Sequence, residues 1–178
     1  MCKSIFANIH HHLVVNGPKA LALPSSLLPF PVQKKLLSEL LAKVFCEAIE
    51  DGDLDFLQDK WLKVSITDLK LTWYLSFAEE KLIIAERCEK EDVTFSGSAN
   101  EFILIAGRKE DPDTLFFQRR LSIQGDTELG LEIKNLLDNL DFDNLPPLLQ
   151  KSLEHFSRFI QQGLTAAETK VAAVPLDI

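Results

Sequence analysis

The hydrophobic repeat changes period at Trp61, and no other property of the chain restricts its fold as much. Upstream, over residues 33–51, Leu36, Leu37, Leu40, Leu41, Val44, Phe45, Ala48 and Ile49 recur every three to four positions. That spacing predicts an amphipathic helix with one broad apolar face, stopped by Gly52. Downstream the period is two. WLKVSIT (61–67), LTWYLSF (71–77), KLIIAER (81–87) and DVTFSGS (92–98) alternate apolar with polar residues, and RLSIQG (120–125) supplies a fifth such segment. Short connections through the first four imply an antiparallel meander with one apolar face. Helical periods return at 98–107, where Ser98 and Glu101 make a capping box, then at 127–140 and at 146–162, which ends before Gly163. The expected fold class is α+β, a five-stranded, mainly antiparallel sheet with helices covering one face.

With 178 residues, 46% of them hydrophobic, the chain is the size of one domain with a real core. Its net charge of −8 is unevenly spread. Residues 1–45 hold five lysines against Glu39 alone, while residues 46–178 hold fourteen basic and twenty-six acidic residues. An acidic body repels phosphate backbones, so nucleic acid is excluded as a partner. The basic N-terminal segment also contains SIFANIHHHLVV (4–15), with helical spacing, and PKALALPSSLLPFP (18–31), with four prolines. The second stretch is too proline-rich for a long helix and too apolar for a solvated linker. Residues 1–32 therefore read as an extension that binds a membrane or a partner, docking through Leu21, Leu23, Leu27, Leu28 and Phe30 with Lys34 and Lys35 beside them. The alternative is an extension packed on the body with its lysines in water. No apolar run approaches the roughly 20 residues of a bilayer span, and no secretory signal is visible, so the expected location is cytoplasmic, peripheral at the inner membrane.

Chemistry is sparse. Cys2, Cys46 and Cys88 are scattered and odd in number, which suits neither a disulfide framework nor a paired-cysteine metal site. His10, His11 and His12 are adjacent and cannot share one helix face, and His155 falls between apolar helix positions. Asp51, Asp53 and Asp55 imitate the start of a calcium loop, but Phe56 stands where the turn needs glycine and Leu62 where a bidentate glutamate belongs. No phosphate loop, nucleophile elbow or zinc-protease motif is present. The expectation is a protein with no catalytic residue, no metal and no cofactor.

The peptide RKEDPDTLFFQRRLSIQGDTELGLEIKNLLD (108–138), together with WLKVSITDLKLTWYLSF (61–77) and the helix before it, resembles the sterol-carrier-protein family. Within that family it is most similar to the bacterial accessory factors of oxygen-independent ubiquinone biosynthesis. The resemblance covers roughly residues 33–163, leaving 164–178 as a flexible tail. It implies that the helices enclose a hydrophobic tunnel against a curved sheet. It further implies that the protein binds polyprenylated quinone precursors and presents them to iron–sulfur hydroxylase subunits of the peptidase-U32-like type, without a redox centre of its own. Alternation places Leu71, Trp73, Leu75, Phe77, Ile84, Val93, Phe95 and Ile123 on one sheet face, with Phe102, Ile105, Ala106, Ile133 and Leu137 opposite. Leu115, Phe116 and Phe117 sit in an expected loop, at a tunnel mouth or under a covering helix. Each of these reads either as a lipid contact or as plain core. Asp111 and Asp113 are expected to cap the loop around Pro112, Gly125 and Asp126 to form a turn and an N-cap, and Arg119 and Arg120 to pair with acids of the 126–128 turn or to meet a ligand head group. A general fatty-acyl or phospholipid carrier and a ligand-free scaffold are the competing readings.

Overall fold

The computed structural model describes Val14, Asn16, residues 29–139 and residues 145–171, with side chains to 164. The chain enters helix α1 (Phe30–Val44) through Pro29, and Pro31 lies in the first turn, where a missing N–H costs nothing. Phe45 interrupts the helix at φ −99° and ψ 12°, and a short α2 (Cys46–Glu50) follows. The single helix expected over 33–51 is thus two, starting three residues earlier. The break turns the Phe45 side chain inward, and it is buried. Gly52, at φ 78°, then reverses the chain.

The sheet contains β1 (Leu62–Ile66), β2 (Leu71–Ala78), β3 (Lys81–Ala85), β4 (Val93–Gly97) and, later in the chain, β5 (Ser122–Gly125), in the spatial order β3-β2-β1-β4-β5. Glu79 and Glu80 both take positive φ, the geometry of a tight two-residue hairpin. The meander ends at β3. Strand β4 does not continue it but crosses to the far side of β1 and pairs with it in parallel, so four expected antiparallel strands are three. Asp92 fixes the crossover: its carboxylate accepts the Trp61 N–H at 2.8 Å and its own N–H donates to the Trp61 carbonyl at 3.0 Å.

Register sorts the faces cleanly. Leu62 lies beside Leu75 and Val93, and Val64 beside Trp73 and Phe95, with Ile84 and Ile123 continuing the rows outward. On the other face Ser65 lies beside Thr72 and Ser96, and Lys63 beside Tyr74 and Thr94. A one-residue slip would exchange these faces entirely, so the alternation enforces the register.

Three helices lie over the apolar face: α1, α3 (Ala99–Ala106) and α5 (Thr127–Asn139), with the six-residue α4 (Pro112–Phe117) between the last two. The capping box at Ser98 and Glu101 is formed, and Asp68 accepts the Ala99 N–H. Asp126 accepts the N–H groups of Glu128 and Leu129 as the N-cap of α5, while Gly125 takes φ 116°. Helix α6 (Pro147–Val171) packs on the outer side of α3 and runs through Gly163, nine residues past its expected end at 162. The two helices approach closely: a Cβ on Gly107 would stand 2.4 Å from Ser157 of α6. Val14, Leu104 and Ile160 form a small second core on that side, and the buried Asn100 amide donates to the Val14 carbonyl.

Candidate functional site

Between the sheet and its helices lies a cavity of about 300 Å³ whose seventeen lining side chains are all aliphatic or aromatic. Leu62, Val64 and Ile66 of β1, Trp73 and Leu75 of β2, and Phe95 of β4 form the floor. The roof comes from Leu37, Leu40, Leu41, Val44 and Phe45 of the α1 end, Phe102, Ile105 and Ala106 of α3, and Ile133, Leu136 and Leu137 of α5. Bulky rigid groups hold the layers apart. Phe95 and Phe102 meet edge to face at 5.4 Å, and the Trp73 indole donates to Gln33 of α1 at 3.0 Å. Each contact props a helix on an aromatic ring standing on the sheet.

Two further spaces adjoin the cavity. One is a polar cleft of about 310 Å³, lined by Arg108, Lys109, Glu110, Asp111, Pro112 and Asp138, which shares Ile105 and Leu137 with the cavity. Burial, and then the neighbouring Asp113 and Asp111, push the Asp138 carboxyl above its ordinary range. Hydrogen bonds from the Thr114 hydroxyl and N–H hold Asp111 below it. The other space is an apolar groove of about 270 Å³ beneath α6, lined by Ile103, Leu145, Leu149, Ser152, Leu153 and Phe156, which shares Leu40, Val44 and Ala106 with the cavity.

Of the sixteen residues expected to contact lipid, the structure gathers eight around the cavity: Trp73, Leu75, Phe95, Phe102, Ile105, Ala106, Ile133 and Leu137. Phe77, Ile84, Val93 and Leu115 are fully packed in the core instead. Leu71, at the start of β2, and Ile123, on β5, are half-buried away from the cavity. The expected loop carrying Leu115, Phe116 and Phe117 is helix α4, because Asp111 caps it by accepting the Thr114 N–H at 2.8 Å. Helical geometry sends Leu115 inward, while Phe116 and Phe117 face out, the latter 80% exposed, and none of the three reaches the cavity. Nine lining residues were not singled out as lipid contacts: Leu37, Leu40, Leu41, Val44, Phe45, Leu62, Val64, Ile66 and Leu136. Their signal was in the apolar face of α1 and the first alternating strand.

Polar expectations resolve as follows. Arg120 pairs with Glu101 and Glu110, each at 3.3 Å, and not with the 126–128 turn, because the bend after α4 aims it back across α3. Arg119 is exposed. Asp113 pairs with Lys134 of α5. Burial, and then Glu91, raise the Cys88 thiol above its ordinary range. Of the docking residues, Phe30 is half-buried against the core, and Lys34 and Lys35 are exposed on α1. Leu21, Leu23, Leu27 and Leu28, and likewise His10, His11 and His12, lie outside the described residues. His155 is exposed on α6. Among the described residues no helix is long and apolar enough to cross a membrane, and no group of His, Cys, Asp and Glu side chains could hold a metal ion.

Residues 37–138 match the SCP-2 sterol transfer family. The ubiquinone biosynthesis accessory factor UbiT of Escherichia coli (strain K12) is 41% identical over 167 residues, covering 93% of this chain and 95% of that protein. A solved structure, the UbiJ-SCP2 ubiquinone synthesis protein, superposes with a TM-score of 0.51 at 20% identity, over 62% of this chain and 97% of its own. That likeness concerns the fold.

Proposed function

The chain belongs to the SCP-2 sterol transfer family, and from that premise we propose that it is a lipid-binding accessory factor of ubiquinone biosynthesis. In this reading it is non-catalytic. It binds polyprenylated quinone precursors and presents their rings to peptidase-U32-like iron–sulfur hydroxylases in the oxygen-independent route. The observation that carries the reading is the wholly apolar cavity adjoining a polar cleft. Apolar surface facing that space forgoes about 25 cal/mol per Å² of stabilisation until an apolar occupant covers it. A filled scaffold core fits this cavity poorly.

The cleft supports a head-group site. Its charged residues, Arg108 and Lys109 against Glu110, Asp111 and Asp138, nearly balance. An uncharged, hydrogen-bonding ring such as a phenol suits that balance better than a phosphate, which favours concentrated positive charge. Catalysis asks nothing further of the site, since a carrier needs a dry cavity and a mouth. Peripheral membrane contact through the leucines of 21–28, with Lys34 and Lys35 meeting anionic lipid, completes the proposal.

Mass spectrometry of organic extracts from gently purified protein, against a denatured control, tests it. Prenylated phenols at near-stoichiometric level are the expected result. Bulk phospholipid alone would favour a general carrier, and a lipid-free extract would overturn the reading.

A further inference from the structure

The cavity is too small for the ligand class just proposed. Taking a methylene to fill roughly the volume of a water molecule, about 30 Å³, about 300 Å³ holds about ten carbons, or about two isoprene units. A longer tail must leave the cavity, and the groove beneath α6 offers it apolar surroundings. Leu40, Val44 and Ala106 line both spaces, and of these three dividing side chains Ala106 is only a methyl group. The far wall of the groove is anomalous as protein surface: Leu149 is 45% and Phe156 62% exposed, with Leu153 beside them. The wall also lies beyond residue 138, where the SCP-2 match ends, so the shared domain does not account for it.

We propose that the groove is a second binding subsite, which receives the distal part of the polyprenyl tail after it passes Ala106, so that α6 sets the preference for tail length. This rests on the carrier reading and extends it. The head group lies in the polar cleft, the first isoprene units fill the cavity, and the rest of the tail lies against Leu149, Leu153 and Phe156. With its tail covered, the apolar side chains on α6 lose their contact with water.

The test is a binding series on the full chain, read by tryptophan fluorescence, to which Trp73 on the cavity floor contributes alongside Trp61. The probes are phenols carrying geranyl, geranylgeranyl and longer polyprenyl tails. Wild-type protein binds the geranylgeranyl phenol at least about tenfold tighter than the geranyl phenol, since two further buried methylenes already supply that factor. The double variant Leu149→Glu/Phe156→Glu, at two exposed positions, keeps its affinity for the geranyl phenol and loses the gain. Ala106→Phe, which sets a bulky ring between the two spaces, removes the gain as well. If the gain survives in both variants, the tail leaves elsewhere and the subsite is disproved while the carrier reading stands. Equal affinity of wild-type protein for short and long tails also disproves it. Failure of every probe to bind wild-type protein overturns the carrier reading itself.

Discussion

The sheet has two interiors built from the same residue types. Toward β3, and at the first position of β4, Phe77, Ile84 and Val93 pack solidly with Leu54 and Leu57 and are almost wholly buried. At its centre Val64, Trp73 and Phe95 face an open cavity. Hydrophobicity does not distinguish these regions. What differs is the layer above. Around Leu54 and Leu57 the chain folds down onto the strands as a tight 3₁₀ turn over Asp55–Leu57, whereas α1 and α3 rest on the rings of Trp73 and Phe95 and stand clear of the floor. A wall residue and a core residue are the same chemistry under different roofs.

Substitution should separate the two regions. Ile84→Ala, in the packed region, is expected to cost about 2–5 kcal/mol in a denaturant titration, the usual result of opening a hole among well-packed neighbours. Gly107→Ala forces a methyl into Ser157 at the seam of α3 and α6, and should cost about 1–3 kcal/mol by the same measurement. The companion Ser157→Gly change should restore part of the loss, as expected for residues in direct contact. At the cavity floor the sign reverses. Val64→Phe fills space already open, so lipid-free protein should gain about 1 kcal/mol while prenyl-phenol affinity falls by more than about tenfold. A loss of stability as large as that of Ile84→Ala would mean that the cavity is closed in solution. The smallest effect lies at the cleft. The Asp138 carboxyl is raised in the folded state, so its protonated form stabilises at low pH, and that contribution is lost as pH rises through the folded value. Asp138→Asn should therefore be more stable than wild type near neutral pH, by at most about 0.5 kcal/mol given its solvent exposure, with the difference vanishing below the carboxylate range.

Much of this was legible in residue order. Five strands, their apolar face, the Ser98–Glu101 box and the Asp126 cap all follow from local rules, because alternation and capping act over a few residues. The parallel seating of β4 against β1 was not legible. Short connections favour a meander, and only the Asp92 clamp on Trp61 reveals the crossover. Helix α4 was missed because six residues carry no period, although Asp111 three places before Thr114 is a cap signal. Half of the cavity wall was missed for a different reason. Leu62, Val64 and the α1 leucines were recognised as apolar, but a void is a property of spacing between layers, and no single segment encodes it.

The crossover has a consequence for how the chain comes to life on the ribosome. Strand β1 finds its partner β4 about thirty residues later, as the 31-residue separation of the Trp61–Asp92 clamp shows, and the last pieces of the roof are Ile133, Leu136 and Leu137. Until those emerge, the floor is a half-built hairpin ribbon with its greasy side open, and this delayed closure of distant partners is the slow kind of folding. The cavity can be roofed only after about three-quarters of the chain has been synthesised, so its closure is a late event in assembly.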